Sequence, residues 1–282
     1  MRMKRAVYAL ATLLFPCFVY ASYETNCYDS DDFSLDNQRI CITQDAADFP
    51  EYVIYYFHGL NGSPDDMGKG KMLAYLNQYW EKALPGKKPV VIGYSLGDRT
   101  NLALPGRLKK VMREVFPHIE AANLRAIPKF RTALGVSMGG WNTFQLQMED
   151  VNYFQKTALL CPALANITPW SPSDEVSAYR KRTGASWFYV NLMLQGLSES
   201  YDGDAEAFKP FNPYTRMAAH KGSFGNLYIA AETKDEFGFQ EGAAHLMEAA
   251  TAAGSSVEWH LRPGGHCKSQ KIEEVAAFLT LK

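Results

Sequence analysis

From Tyr52 onward the apolar positions change period repeatedly, and each change marks an element. Tyr52-Val-Ile-Tyr-Tyr-Phe57 is an unbroken apolar run rich in β-formers. A strand covered on one face alternates; an unbroken run suits a strand buried on both. Residues 89–93, 132–136, 157–161, 227–231 and 257–261 are the further strand candidates. Between them the period lengthens. Met72, Leu73, Leu76, Tyr79 and Trp80 share one face of a helix over residues 71–84. Leu108, Val111, Met112 and Val115 do the same over 106–116. Residues 139–148, 242–253 and 271–281 read as further helices. Strands alternating with helices imply a mostly parallel sheet with helices on both faces. Such sheets place their sites at the C-terminal ends of strands.

One stretch breaks the alternation. Residues 166–220 are rich in Trp, Tyr, Phe and Pro and show no evident strand. They read as a lid-like insertion over the sheet, helical around 186–197. Upstream, Met1-Arg-Met-Lys-Arg5 is basic, residues 6–20 are almost wholly apolar, and Ala21 is small. That sequence of features predicts a secretory signal peptide over 1–21, cleaved after Ala21. The apolar run is shorter than the about 20 residues a bilayer span needs, and Pro16 interrupts it. No membrane span is expected after cleavage. A single domain is expected over 22–282, carrying the insertion.

Composition adds exclusions. Hydrophobic residues make up 47% and charged residues 21%, which fits a folded chain. A net charge of -1 lacks the basic excess of a nucleic-acid binder. Past the leader four cysteines remain: Cys27, Cys41, Cys161 and Cys267. In an oxidising compartment an even count suits two disulfides. Four cysteines allow three pairings, which the sequence does not decide; Cys27 with Cys41 and Cys161 with Cys267 is one, and buried free thiols are the alternative. There is no CxxC pair, so no zinc site is expected.

The candidate chemistry begins at Gly135-Val-Ser-Met-Gly139. Alone, a G-x-S-x-G sequence is weak: about one chain of this length in ten shows it by chance. Here a strand precedes it directly and a helix opens directly after it. That is the setting of a nucleophile elbow, where a sharp turn lifts the Ser137 hydroxyl above the strand ends. Only small residues fit two positions to either side.

Arg131-Thr-Ala-Leu-Gly-Val-Ser-Met-Gly-Gly-Trp141 resembles the elbow of the esterase branch of the α/β-hydrolases. That group includes esterase D (S-formylglutathione hydrolase), feruloyl esterases and the mycolyltransferase antigens. The resemblance implies an α/β-hydrolase fold and a serine hydrolase acting on carboxylic esters, with no cofactor. His58-Gly-Leu-Asn-Gly-Ser63 resembles the family's oxyanion loop. By that likeness the Leu60 amide joins the Met138 amide as oxyanion donor, with Gly59 beside it. His58 precedes the nucleophile, so its expected work is shaping the loop. In this fold the order is Ser, acid, His. Of the histidines after Ser137, His245 falls in a helix, His260 in a strand, and His220 before the penultimate strand. His266 sits in Arg262-Pro-Gly-Gly-His-Cys267, between the last strand and the last helix, and is the expected base. The acid candidates after the penultimate strand are Glu232, Asp235 and Glu236. Family likeness of the Asp-x-Phe sequence points to Asp235.

The substrate is less constrained. Trp141, Tyr94 and the aromatic insertion (Trp170, Trp187, Phe188, Tyr189) either line an acyl or aromatic pocket or pack the insertion down. Short-acyl or phenolic esters are the expected small-molecule substrates by family likeness. Acyl transfer, lipolysis and a non-catalytic binding role on the same scaffold are the alternatives. Asn61 and Asn166 both match the N-glycosylation pattern. A glycan on Asn61 would obstruct the site, so that match is discounted.

Overall fold

The computed structural model describes residues 23–280, apart from 32–34, 36, 46–50, 70, 84–87, 97–103 and 105. The leader expected over 1–21 lies outside the described residues. Two strands that the apolar pattern does not announce come first. β1 (Tyr23–Ser30) and β2 (Gln38–Asp45) pair antiparallel, with Cys27 directly opposite Cys41. A disulfide joins those two residues. β2 in turn pairs antiparallel with β4, two strands on.

The parallel part begins at β3 (Tyr52–Phe57). A short helix α1 (Asp66–Lys69) and α2 (Lys71–Ala83) lead back to β4 (Val90–Ser95). Then comes α3 (Arg107–Lys110), which passes through a π-helical turn (Val111–Val115) into α4 (Phe116–Asn123). The sequence places the end of this helix at 116; the structure carries it on to Asn123. Pro117 stands in the first turn of α4. The helix is continuous here, so the proline lies inside it, just past the π-helical turn, and that local widening is the irregularity with which the helix accommodates a residue that has no N–H to donate.

β5 (Phe130–Val136), α5 (Met138–Glu149) and β6 (Lys156–Leu160) follow as expected. The insertion is wholly helical in its regular parts: α6 (Ser173–Thr183), α7 (Trp187–Ser200), α8 (Ala205–Phe208) with a 3-10 turn (Lys209–Phe211), and α9 (Pro213–Ala219). β7 (Asn226–Glu232), α10 (Gln240–Ala252), β8 (Ser256–Arg262) and α11 (Ile272–Leu279) complete the chain.

The eight strands form one sheet in the order β1-β2-β4-β3-β5-β6-β7-β8, parallel from β4 through β8. Its two faces are separate cores. Val53, Tyr55 and Phe57 pack with residues of the α3–α4 helix, α5 and α10. Ile54 and Tyr56 pack on the other face, with Leu76, Trp80, Val275 and Phe278 of α2 and α11. Every residue of β3 after the first is thus buried, which is why the run is apolar without alternation. Burying one such side chain stabilises by about 1.5–3 kcal/mol. The insertion has its own small core of Ala165, Ile167, Tyr179, Ala185 and Val190, seated on Phe239 just beyond β7.

Candidate active site

The loops that follow β5, β7 and β8 leave the C-terminal ends of parallel strands, and three side chains from them meet. Ser137 is the residue between β5 and α5, and its backbone is strained at φ 54, ψ -115. A non-glycine residue rarely holds a positive φ, and such strain concentrates at working sites. The surroundings over-determine it. The Ser137 amide donates to the Leu160 carbonyl at 2.9 Å, and its carbonyl accepts from the Trp141 and Ala163 amides, both at 3.0 Å. The flanking glycines are required by space. A β-carbon on Gly135 would collide with the Gly139 carbonyl and Thr143 Oγ1; one on Gly139 would collide with the carbonyls of Phe57 and His58.

His266 reaches Ser137 from the loop after β8. Its Nε2 lies 2.7 Å from Ser137 Oγ. Its Nδ1 lies 2.6 Å from Asp235 Oδ2. A carboxylate only accepts, so Nδ1 carries the hydrogen and Nε2 presents its lone pair to the serine hydroxyl. Asp235 is 1% exposed and also accepts the Phe237 amide at 2.8 Å. Phe237 and Phe239 set their rings against the imidazole, at centroid distances of 4.8 and 5.4 Å. The carboxylate and most of the imidazole are thereby kept from water.

The two other acid candidates hold main chain instead. Glu232 is fully buried and accepts from the Cys267 and Ser269 amides, each at 3.3 Å, and from Gln270 Nε2 at 2.6 Å. Glu236 accepts the His266 amide at 2.6 Å. That bond holds the Glu236 carboxyl below the usual glutamate range, with Lys268 adding to the effect.

On the other side of Ser137 runs the loop after β3. The Gly59 main chain lies against it: a β-carbon on Gly59 would stand 3.4 Å from both Ser137 Cβ and the Val136 carbonyl. Leu60 follows it and is 40% exposed. Met138 is the first residue of α5. His58 is buried, with Nδ1 2.7 Å from the Gly59 carbonyl and Nε2 2.7 Å from Ser95 Oγ. The carbonyl must accept, so Nδ1 donates and Ser95 donates to Nε2. His58 is therefore spent on the loop.

The sequence leaves Tyr94 open between lining a pocket and packing; it is fully buried, and its hydroxyl donates to Gln38 Oε1 at 2.9 Å. It belongs to the core beside Phe116. Trp141 is buried in the same core. Trp170 packs on Phe208, and its Nε1 donates to the Gly203 carbonyl. Tyr189 leans on Phe237, while Trp187 and Phe188 are more than half exposed.

Cys161 and Cys267 form the second disulfide, tying the end of β6 to the residue after His266. Cys161, His266 and Cys267 stand close enough to suggest a metal cluster. With both sulfurs joined and the imidazole engaged, the set does not fit one. No helix among the described residues is long and apolar enough to cross a membrane.

No family model matches the sequence, and no curated protein matches it. Solved structures do. An arylesterase superposes with a TM-score of 0.65 at 14% identity, over 91% of this chain and 83% of that one. A ferulic acid esterase gives 0.60 at 12% identity, over 92% of this chain and 98% of that one. An S-formylglutathione hydrolase from Staphylococcus aureus gives 0.60 at 15% identity, over 92% and 98%. The chain has the α/β-hydrolase fold. In this fold the Ser137 turn, the Asp235 turn and the His266 loop all follow parallel strands, β5, β7 and β8.

What the sequence does not announce is the support. Glu232, Glu236, Phe237 and Phe239 hold or flank the central three or their loops, Ser95 holds His58, and none sits in a motif that names such work. Asp-x-Phe is the one local signal, and it marks Phe237 only by its place after the acid.

Proposed function

We propose that this chain is an exported serine esterase that hydrolyses carboxylic esters through an acyl-enzyme. The observation that carries the reading is the continuous pair of bonds from Asp235 through His266 to Ser137, built on a strained serine turn. In the proposed reaction His266 Nε2 takes the Ser137 proton as Oγ attacks the ester carbonyl. Asp235 stabilises the imidazolium without itself taking the proton. The Met138 and Leu60 amides, with Gly59 close by, receive the oxyanion. His266 then protonates the departing alcohol. Water attacks the acyl-serine by the same route and regenerates the hydroxyl. These steps call for no metal or organic cofactor.

The substrates we propose are short-acyl and phenolic esters. Similarity to an arylesterase and a ferulic acid esterase supports that class. Two disulfides and the basic–apolar–small leader support export after removal of residues 1–21. The test is turnover of nitrophenyl esters of increasing acyl length by the mature chain. Hydrolysis that peaks at acetate or butyrate and vanishes in Ser137→Ala supports the proposal. Activity only on long chains would make the protein a lipase. No turnover of any ester by folded protein would move it to a binding role.

A further inference from the structure

His266 lies in a loop between β8 and α11, outside any helix or strand. Something other than secondary structure must therefore fix its main chain. Asp235 holds the ring at Nδ1, but a side chain tethered at one ring atom is free to swing about that atom. A second tether at the main chain removes the freedom. It comes from the neighbouring residue. Glu236 Oε2 accepts the His266 amide at 2.6 Å. Lys268 Nζ, two residues beyond His266, stands 3.2 Å from the other oxygen, Oε1. The Glu236 carbonyl accepts the Ser186 amide at 2.8 Å, at the start of α7. Glu236 thus touches the histidine loop through its side chain and the insertion through its main chain. An ionised acceptor gives the shorter, stronger form of such a bond. A glutamate carboxyl is ionised at neutral pH, and the downward shift of Glu236 extends that to lower pH.

We propose that Glu236 is a positioning residue for the chemistry at Ser137: its carboxylate fixes the His266 main chain so that Nε2 meets Oγ. The proposal rests on the reading of Ser137 and His266 as the reacting pair. Glu236 itself touches neither substrate nor reacting atoms.

The test compares Glu236→Ala with Glu236→Gln in the mature, oxidised chain, using nitrophenyl acetate. Gln keeps an oxygen that accepts the His266 amide; Ala keeps none. A small misplacement of a reacting group is costly, so Glu236→Ala should lower kcat about tenfold or more with KM within about twofold, and Glu236→Gln should restore most of it. A second readout is the far-downfield proton signal of the His266 Nδ1–H. It should shift or broaden in the alanine variant and return in the glutamine variant. Unchanged kcat in Glu236→Ala would overturn the proposal. So would equal losses in both variants with the proton signal unmoved. If the alanine variant does not fold, Glu236→Ser, with a hydroxyl too short to reach the amide, takes its place. Absence of ester turnover in the unaltered chain would sink the esterase reading, while the proton signal would still decide whether Glu236 orients His266.

Discussion

Ser137 Oγ and His266 Nε2 stand 2.7 Å apart although 129 residues separate them in the chain. If the two act as one unit, their removal is not additive. Ser137→Ala and His266→Ala should each lower kcat by about 10⁴-fold or more, and the double variant should be no worse than either. Steady-state turnover of a nitrophenyl ester measures this, with the thermal midpoint checking that the fold is kept.

Glu232, the last residue of β7, and Asp235, in the turn after it, are both buried acids, yet they face different partners. Asp235→Asn should cost about 10³–10⁴-fold in kcat, because an amide no longer holds the imidazole in the required tautomer. Glu232→Gln should act on the fold instead. It disturbs an acceptor of three bonds, and such a loss costs about 1–3 kcal/mol. Urea unfolding together with kcat separates the two.

The disulfide between Cys161 and Cys267 spans 106 residues and ends beside His266. Closing so long a loop stabilises by about 2–5 kcal/mol in the chain-entropy account. Cys161→Ser should therefore lower the thermal midpoint and the activity together. Cys41→Ser, which opens the β1–β2 staple far from His266 in the sheet order, should lower the midpoint and leave kcat unchanged. Melting and turnover, with and without reductant, read both effects.

Glu236 makes a prediction with a definite sign. Its carboxyl is depressed in the folded chain by the His266 amide. The stabilisation it contributes is fully present above the ordinary glutamate value of about 4.3 and is lost as pH falls below that through the depressed native value. Glu236→Gln should be less stable than the unaltered chain at pH 7, and the gap should narrow below pH of about 4. Urea midpoints across pH 3–7 measure it.

How far the sequence carried can be seen at particular elements. β3 was legible end to end because burial on both faces leaves no polar position to blur the run. β1 was not, because Tyr23-Glu-Thr-Asn-Cys-Tyr-Asp-Ser30 is mostly polar and mostly exposed. Its order comes from pairing with β2 and from the disulfide, which are long-range facts. Residues 186–197 anticipated α7, whereas α6, α8 and α9 had weaker apolar faces to announce them. Ser137, His266 and Asp235 followed from element order plus a family likeness. Tyr94 stayed open in the sequence because a tyrosine at a strand's C-terminal end looks the same whether it faces a cleft or a helix. Glu236 stayed hidden for a related reason: an acid in a turn shows its work only once the loop it holds is in place.

The most direct test of the account is fluorophosphonate labelling of the mature, oxidised protein, with the modified residue mapped by mass spectrometry. The account predicts a single adduct on Ser137 that disappears in His266→Ala. Folded protein that takes no adduct, or takes one elsewhere, would contradict it.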